Sequence, residues 1–272
     1  MSSGSVNSKL KFRLLRSAAA LPLFLAGPAL GASPAYDWSG FYAGLTAGGV
    51  WANSHETTNL PCTEPAGGGY LCISGIAANA PVASAAGTGS LSSTGFSGGV
   101  EGGYNWQNGP AVYGIELDFE SFKGASRTSS VPSNGTAGPP AGSPITIGSS
   151  VSADWLFTSR ARIGYAFNDI LIYGTGGLAL TRLDASYTYS DASGGAGAWN
   201  TGENKLGWTA GCGVEWAFTK AWSVKAEYLY VKFNSITASG TILAPAFGYH
   251  NAISTSADLT AQIARAGVNY KF

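Results

Sequence analysis

Between Ala111 and Ser121 the chain reads AVYGIELDFES, in which residues take turns between large apolar and small or acidic. Side chains of an extended strand point to opposite faces with period two. Tyr113, Ile115, Leu117 and Phe119 therefore share one face, and Glu116, Asp118 and Glu120 share the other. The same division recurs along the chain. Trp155, Phe157, Ala161, Ile163 and Phe167 oppose Arg160 and Arg162; Leu206, Trp208, Cys212, Val214, Trp216 and Phe218 oppose Glu215; Trp222, Val224, Ala226, Tyr228 and Tyr230 oppose Lys225 and Glu227. At the end, Phe272, Tyr270, Val268, Ala266 and Ala264 oppose Lys271, Asn269, Gly267 and Arg265. Helical periodicity is scarce, so the expected class is all-β.

Eight such segments begin near Phe41, Thr94, Ala111, Val151, Ile170, Lys205, Trp222 and Ser256. The links between them alternate in length. Short ones carry turn chemistry at Asn108-Gly109, Asn168-Asp169 and Lys220-Ala221. Long ones, 52–93, 123–150, 185–204 and 234–255, are rich in Gly, Ser, Thr, Ala and Pro and read as loops. An even number of antiparallel strands, with short turns at one end and long links at the other, describes an outer-membrane barrel. The expected fold is thus an eight-stranded antiparallel up-and-down transmembrane β-barrel with four long external loops.

Charge separates this reading from a soluble barrel. Only 11% of residues are charged, against about a quarter in a typical soluble domain. Nearly every strand charge lies opposite the aromatic rows, so a barrel with those rows inward would have too little charge to cover its outside. With the apolar rows facing lipid, the interior holds Glu101, Glu116, Asp118, Glu120, Glu215 and Glu227 against Arg160, Arg162, Lys225, Arg265 and Lys271. Eight strands leave room only for side chains, so these charges are expected to plug the lumen as ion pairs. Trp106, Trp216 and Trp222 beside short turns, and Trp51, Trp155 and Trp208 beside long links, suit two interfacial girdles.

The first residues supply an address. Lys9, Lys11, Arg13 and Arg16 precede SAAALPLFLAGPALGA, with small-x-small cleavage candidates at Ala29-x-Gly31 and Ser33-x-Ala35. Residues 1–35 are therefore expected to be a cleaved signal peptide and 36–272 the barrel domain, the alternative being a short membrane anchor. Export makes a disulfide between Cys62 and Cys72 the expectation, two free loop thiols being the alternative. Cys212 reads as a small packing residue. Lys+Arg 15 against Asp+Glu 15, without a basic cluster, argues against nucleic acid as a partner. Two histidines, His55 and His250, are too few for a metal cluster. The Gly-rich strands match no nucleotide-binding fingerprint, so no metal, cofactor or catalytic group is expected. The one hydrolase-like pairing, His250 with Ser254 or Ser256, lacks an orienting acid nearby in sequence.

The stretches YDWSGFYAGLTAGGVW, YGTGGLALT, EYLYV and AGVNYKF resemble the small outer-membrane β-barrel family of immunogenic, porin-like surface proteins of alphaproteobacteria. The resemblance implies a structural protein of the bacterial outer membrane with antigenic surface loops and at most weak permeability. It also implies lipid and lipopolysaccharide as surroundings, and a terminal aromatic signal, Phe272 with Tyr270 and Val268, read by the barrel-assembly machinery. Oligomeric state stays open. A loop-built enzyme, receptor or adhesin is the alternative. On the barrel reading the chain is expected to end with its last strand. Intact-mass analysis of the exported protein should give a chain starting at Ala32 or Tyr36; a mass retaining Met1 to Arg16 would contradict the signal assignment.

Overall fold

The computed structural model describes residues 36–62, 71–72, 79–121, 125–133 and 139–272; the expected signal segment lies outside them. Among the described residues the strands are β1 Gly40–Asn59, β2 Gly89–Asn108, β3 Ala111–Ser121, β4 Ala125–Pro132, β5 Pro144–Ser152, β6 Trp155–Phe167, β7 Ile170–Asp191, β8 Ala196–Ala217, β9 Trp222–Ala244 and β10 Tyr249–Lys271. One helix, α1, spans Ala80–Gly87. All strand pairings are antiparallel. Eight strands close a ring in the order β1, β2, β3, β6, β7, β8, β9, β10 and back to β1. Closure runs from Tyr42 opposite Lys271 to Asn59 opposite Ser254. At the rim the Phe272 amide donates to the Phe41 carbonyl at 3.0 Å.

Tight turns join strands at one end of this ring. Gly109 and Asn168 adopt positive φ (59° and 52°), a conformation that glycine and asparagine tolerate best. Close approach also demands glycine inside the ring. A Cβ at Gly48 would lie 2.6 Å from the Cα of Arg265, and one at Gly177 2.7 Å from the Cα of Arg160, so these bare rungs leave space for the charged side chains beside them.

Outside the ring an apolar belt is exposed, and β9 shows how it is bounded. Trp222, Val224, Ala226 and Tyr228 point outward, a row that with Tyr230 spans roughly the 9–11 residues a tilted strand needs to cross a bilayer. Beyond Tyr230 the outward residues are Lys232, Asn234, Thr237, Ser239 and Thr241. The inward face reverses at the same height, from Ser223, Lys225 and Glu227 to Leu229, Val231, Phe233, Ile236, Ala238 and Ile242. β7 and β10 change over likewise: Leu178 and Leu180 give way to Arg182, Ser186 and Thr188, and Ala264 and Ala266 to Gln262 and Thr260.

This reversal corrects the expectation of four loops. β7 and β8 stay paired from Ile170 opposite Trp216 out to Ser190 opposite Ala196, and β9 and β10 out to Ala244 opposite Tyr249. The stretches 185–204 and 234–255 are thus mostly strand, while 52–93 contains α1 and 123–150 contains the β4–β5 hairpin. β5 lies against the outer part of β7, Ser152 opposite Asp184, directly beyond the rungs where β6 pairs with it.

Past the belt β5 takes the place of β6 beside β7 and carries β4 on its other edge, and at the tip β8 again faces β9, Ala196 opposite Leu243, all within one ten-stranded sheet. The β8–β9 ladder is interrupted between Ala196 and Gly207, and β2 pairs with β3 only from Gly98 onward. Ile145, Ile147, Leu183 and Tyr187 from β5 and β7 meet Val231, Phe233, Ile253 and Leu259 from β9 and β10 in one apolar core. α1, too short to persist alone, packs Ala80, Ala83 and Ala86 into this core.

The terminal residues expected to act in assembly line the belt: Val268, Tyr270 and Phe272 are exposed, with the Tyr270 ring 5.1 Å from that of Phe272 and 5.0 Å from that of Trp222. Deleting Phe272 or introducing Tyr270→Asp should lower the folded yield in cells, read as the heat-modifiable band on gels, whereas Lys271→Ser should change it little. A charge on the lipid face costs about 2–4 kcal/mol at mid-bilayer and less near a rim, so a partial loss is expected. Equal folded yield for all three and the wild type would refute it.

Candidate functional site

Inside the belt the alternation gathers the charges into one layer. β3 contributes Glu116, Asp118 and Glu120. β6 sets Arg160 opposite Glu116 and Thr158 opposite Asp118. On the far wall Arg265 stands opposite Glu227, and Glu215 opposite Lys225; β2 adds Glu101 opposite Asp118. With Arg162 of β6, these ten charged residues are each at most 4% exposed.

Each cation bridges several acids. Arg160 pairs with Glu116, with Asp118 at 2.9 Å and with Glu227 at 3.2 Å. Arg265 donates through Nε to Glu227 at 2.8 Å and through Nη1 to Asp118 at 3.2 Å, and also pairs with Glu120. Lys225 sits 2.5 Å from Glu101 and 3.3 Å from Glu116. Arg162 pairs with Glu215 and lies 3.8 Å above the Tyr173 ring, a cation–π contact.

Lys271 does not join them. It lies at the rim where β10 ends, with its ammonium 4.0 Å from Asp37 and 5.1 Å from the Tyr36 ring. Its absence leaves six acids facing four cations, and neutral donors bond oxygens of every acid but Glu101, which is held by Lys225. Tyr42 donates to Glu116 at 2.7 Å, Tyr173 to Glu227 at 3.1 Å, Ser97 to Glu120 at 2.8 Å and Asn269 to Glu215 at 3.0 Å. Thr158 and Ser223 donate to Asp118 and Glu215, each at 2.5 Å. Multiple hydrogen bonds of this kind are what makes buried charge tolerable. The sequence reading missed these donors, although their inward parity was readable: Tyr42 follows outward Phe41, and Tyr173 follows outward Ile172.

Both mouths are filled as well. At the short-turn end Tyr36 and Trp38 fold back against Val112, Ala166, Leu171 and Ala217, with their rings 4.7 Å apart. The Trp38 amide donates to Gln107 Oε1 at 2.6 Å. Burial, with the negative charges of Glu215 and Asp37, pushes the Tyr36 hydroxyl up to about 12. The Ser39 amide, donating to Asp37 at 2.9 Å, holds that carboxyl below its usual range. The space left above this cap, bounded by Tyr42, Asn105 and Asn269, is about 10 Å³, at most a single water. The cap was missed because the reading began the first strand at Phe41; the i, i+2 pair of Tyr36 and Trp38 was its available signal.

At the other end Cys62 and Cys72 are joined, with Cα atoms 5.6 Å apart. Leu60 and Leu71 enter the apolar core, and the Leu71 amide donates to Asn251 Oδ1 at 2.7 Å. Burial beside Glu56 raises the Tyr187 hydroxyl, which lies above the belt with its ring stacked on Trp199 at 5.7 Å. Cys212 is free and exposed on the belt. His250 lies opposite Leu243, and Ser254 opposite Ser239, on one strand; four residues of strand separate them by about 13 Å, so the considered hydrolase pair is not assembled. His55 Nδ1 lies 3.3 Å from Ser90 Oγ, but Asp258 bonds the His55 backbone amide and not its ring. Among the described residues no three His, Cys, Asp or Glu side chains form a metal-binding group.

The sequence profile of the outer membrane protein beta-barrel domain family matches residues 17–272. The chain belongs to this family. The 31 kDa outer-membrane immunogenic protein of Brucella melitensis is 30% identical over 246 residues, covering 87% of this chain and 85% of that protein. The 22 kDa outer membrane protein of Rhizobium leguminosarum is 33% identical over 141 residues, 52% of this chain and 54% of its own. Among solved structures, the outer membrane protein OprG of Pseudomonas aeruginosa covers 88% of this chain and 99% of its own, at 13% identity and a TM-score of 0.46. Family membership makes the bacterial outer membrane the location of the barrel.

Removing one partner from a buried charge network costs about 3–5 kcal/mol, whereas exposed pairs contribute about 0–1 kcal/mol. Arg265→Ala should therefore lower the urea midpoint of the refolded barrel strongly, and Lys271→Ala hardly at all. Similar midpoints for the two variants would contradict the network as drawn.

Proposed function

We propose that this protein is a closed structural barrel of the outer membrane, whose lipid-embedded half anchors an outer half with its own apolar core that displays hairpin tips at the cell surface. The observation that carries this reading is the filling of the interior along its whole length: the Tyr36–Trp38 cap, the ion-pair layer and the apolar core follow one another. Of the range expected from sequence, envelope scaffold to weak pore, this favours the scaffold. The names of the Brucella relatives, outer-membrane immunogenic proteins, support display of the tips to the outside. Short turns then face the periplasm and the outer half faces the medium, the usual orientation of such barrels. In the same reading the outer leaflet's lipopolysaccharide surrounds the upper belt, and the barrel-assembly machinery recognises the terminal Val268, Tyr270 and Phe272 row.

An adhesin or receptor role is the second reading. It has one specific observation in its favour, the exposed Leu243 at the β9–β10 tip. An enzyme role finds no assembled nucleophile, base and acid among the described residues.

Conductance of the folded, detergent-purified protein in planar bilayers separates scaffold from pore. The closed reading expects membranes holding many copies to stay at baseline. Steady, reproducible unitary steps that disappear when the protein is heat-unfolded would overturn it.

A further inference from the structure

On the belt, large side chains cover most of the wall, and one of the depressions left between them lies beside the seam that closes the barrel. Ala43 of β1 lies opposite Gly102 of β2, and Gly102 opposite Leu117 of β3. Two small outward residues thus adjoin on neighbouring strands, where the surrounding outward positions hold Phe41, Tyr104, Ile115 and Leu117. The result is an outward groove of about 640 Å³ with almost wholly apolar walls, a size in the range of small-molecule sites, about 300–1,000 Å³. Its lower edge is aromatic. The Phe41 and Tyr104 rings meet edge to face at 4.6 Å, and Phe272, 77% exposed, stands beside them.

We propose that this groove is a binding site for one acyl chain of an inner-leaflet phospholipid. The groove is continuous with the lipid-facing belt, so hydrocarbon is what reaches it. It opens at the rim of short turns, where Trp106 and Tyr104 lie at headgroup depth, 4.8 Å apart, and it runs from there toward the middle of the belt at Leu117. A chain lying in it fills the space over Gly102 that side chains leave empty and packs along the β1–β2 rungs next to the closing seam. A rigid aromatic edge and a preformed depression reduce the ordering needed to bind.

Gly102 offers a direct test. A Cβ there would meet only the Tyr42 carbonyl, at 3.4 Å, an ordinary contact, so a larger side chain can occupy the groove without disturbing the wall. The full chain, reconstituted in bilayers with a phosphatidylethanolamine bearing a mid-chain diazirine, is irradiated and the adducts mapped by mass spectrometry. The proposal expects adducts concentrated on the segments around Ala43, Tyr104 and Leu117 over equally lipid-facing Ile163 and Leu178, and at least a fivefold loss there for Gly102→Leu at unchanged folded yield. Ala43→Leu is the second variant should Gly102→Leu fold poorly, and the wild-type map stands without either. Even labelling around the belt would overturn the proposal, as would labelling at the groove that neither variant reduces. Chain-to-chain cross-links at these residues, with dimers lost in Gly102→Leu, would assign the groove to a second copy and overturn it equally.

Discussion

Hydrocarbon gives an unpaired strand edge nothing to bond to, and each backbone group left unsatisfied there costs several kcal/mol. Every other feature of this chain follows from that requirement. Within the belt each strand has two ladder partners, and the last pairs with the first from Tyr42 and Lys271 onward. Closure by eight strands makes the interior narrow, and the narrow interior, cut off from water and lipid, is where the charges of a sparsely charged chain collect. They are held there by mutual pairing and by hydroxyl and amide donors on neighbouring rungs.

Beyond the lipid the requirement lapses, and the architecture changes at that height. Water can satisfy an edge, so the β8–β9 ladder is free to become irregular after Gly207 and β5 to replace β6 beside β7. Both faces then exchange character, because the outside now meets water and the inside no longer has to be polar. Leu229, Val231 and Phe233 continue the inward column begun by Lys225 and Glu227. The outer half has the apolar core and polar outside of a soluble domain, on strands whose inner ends are built for a membrane.

That exchange explains what was legible in the sequence. β3 and the inner half of β9 could be read directly, since Tyr113 to Phe119 and Trp222 to Tyr230 alternate strongly with charges. The ten charges that the structure brings together are separated from the aromatic rows by parity alone. The outer parts of β7 to β10 were read as loops because their outward residues, Ser186, Thr188, Thr237 and Ser239, are small and polar. Their inward partners, Ala185, Tyr187, Ala238 and Ile242, carry the alternation in the opposite sense to the inner halves of the strands. Lys271 has inward parity yet lies at the end of its strand, where the Tyr36–Asp37 segment draws it aside. The irregularity of the β8–β9 ladder between Ala196 and Gly207 depends on where rungs stop, and a single sequence has no residue pattern that marks an interrupted pairing.

The reversal of polarity part-way along each strand is the central claim, and a nitroxide scan along β9 in bilayers tests it most directly. Single spin labels from Trp222 to Ala244 are compared for collision with oxygen, which concentrates in lipid, and with a water-soluble nickel chelate. Outward positions should favour oxygen from Trp222 to Tyr230 and the chelate from Lys232 to Thr241, with Leu229, Phe233 and Ile242 shielded from both. Oxygen-dominated collisions continuing through Thr241, or chelate access at Phe233 and Ile242, would contradict it.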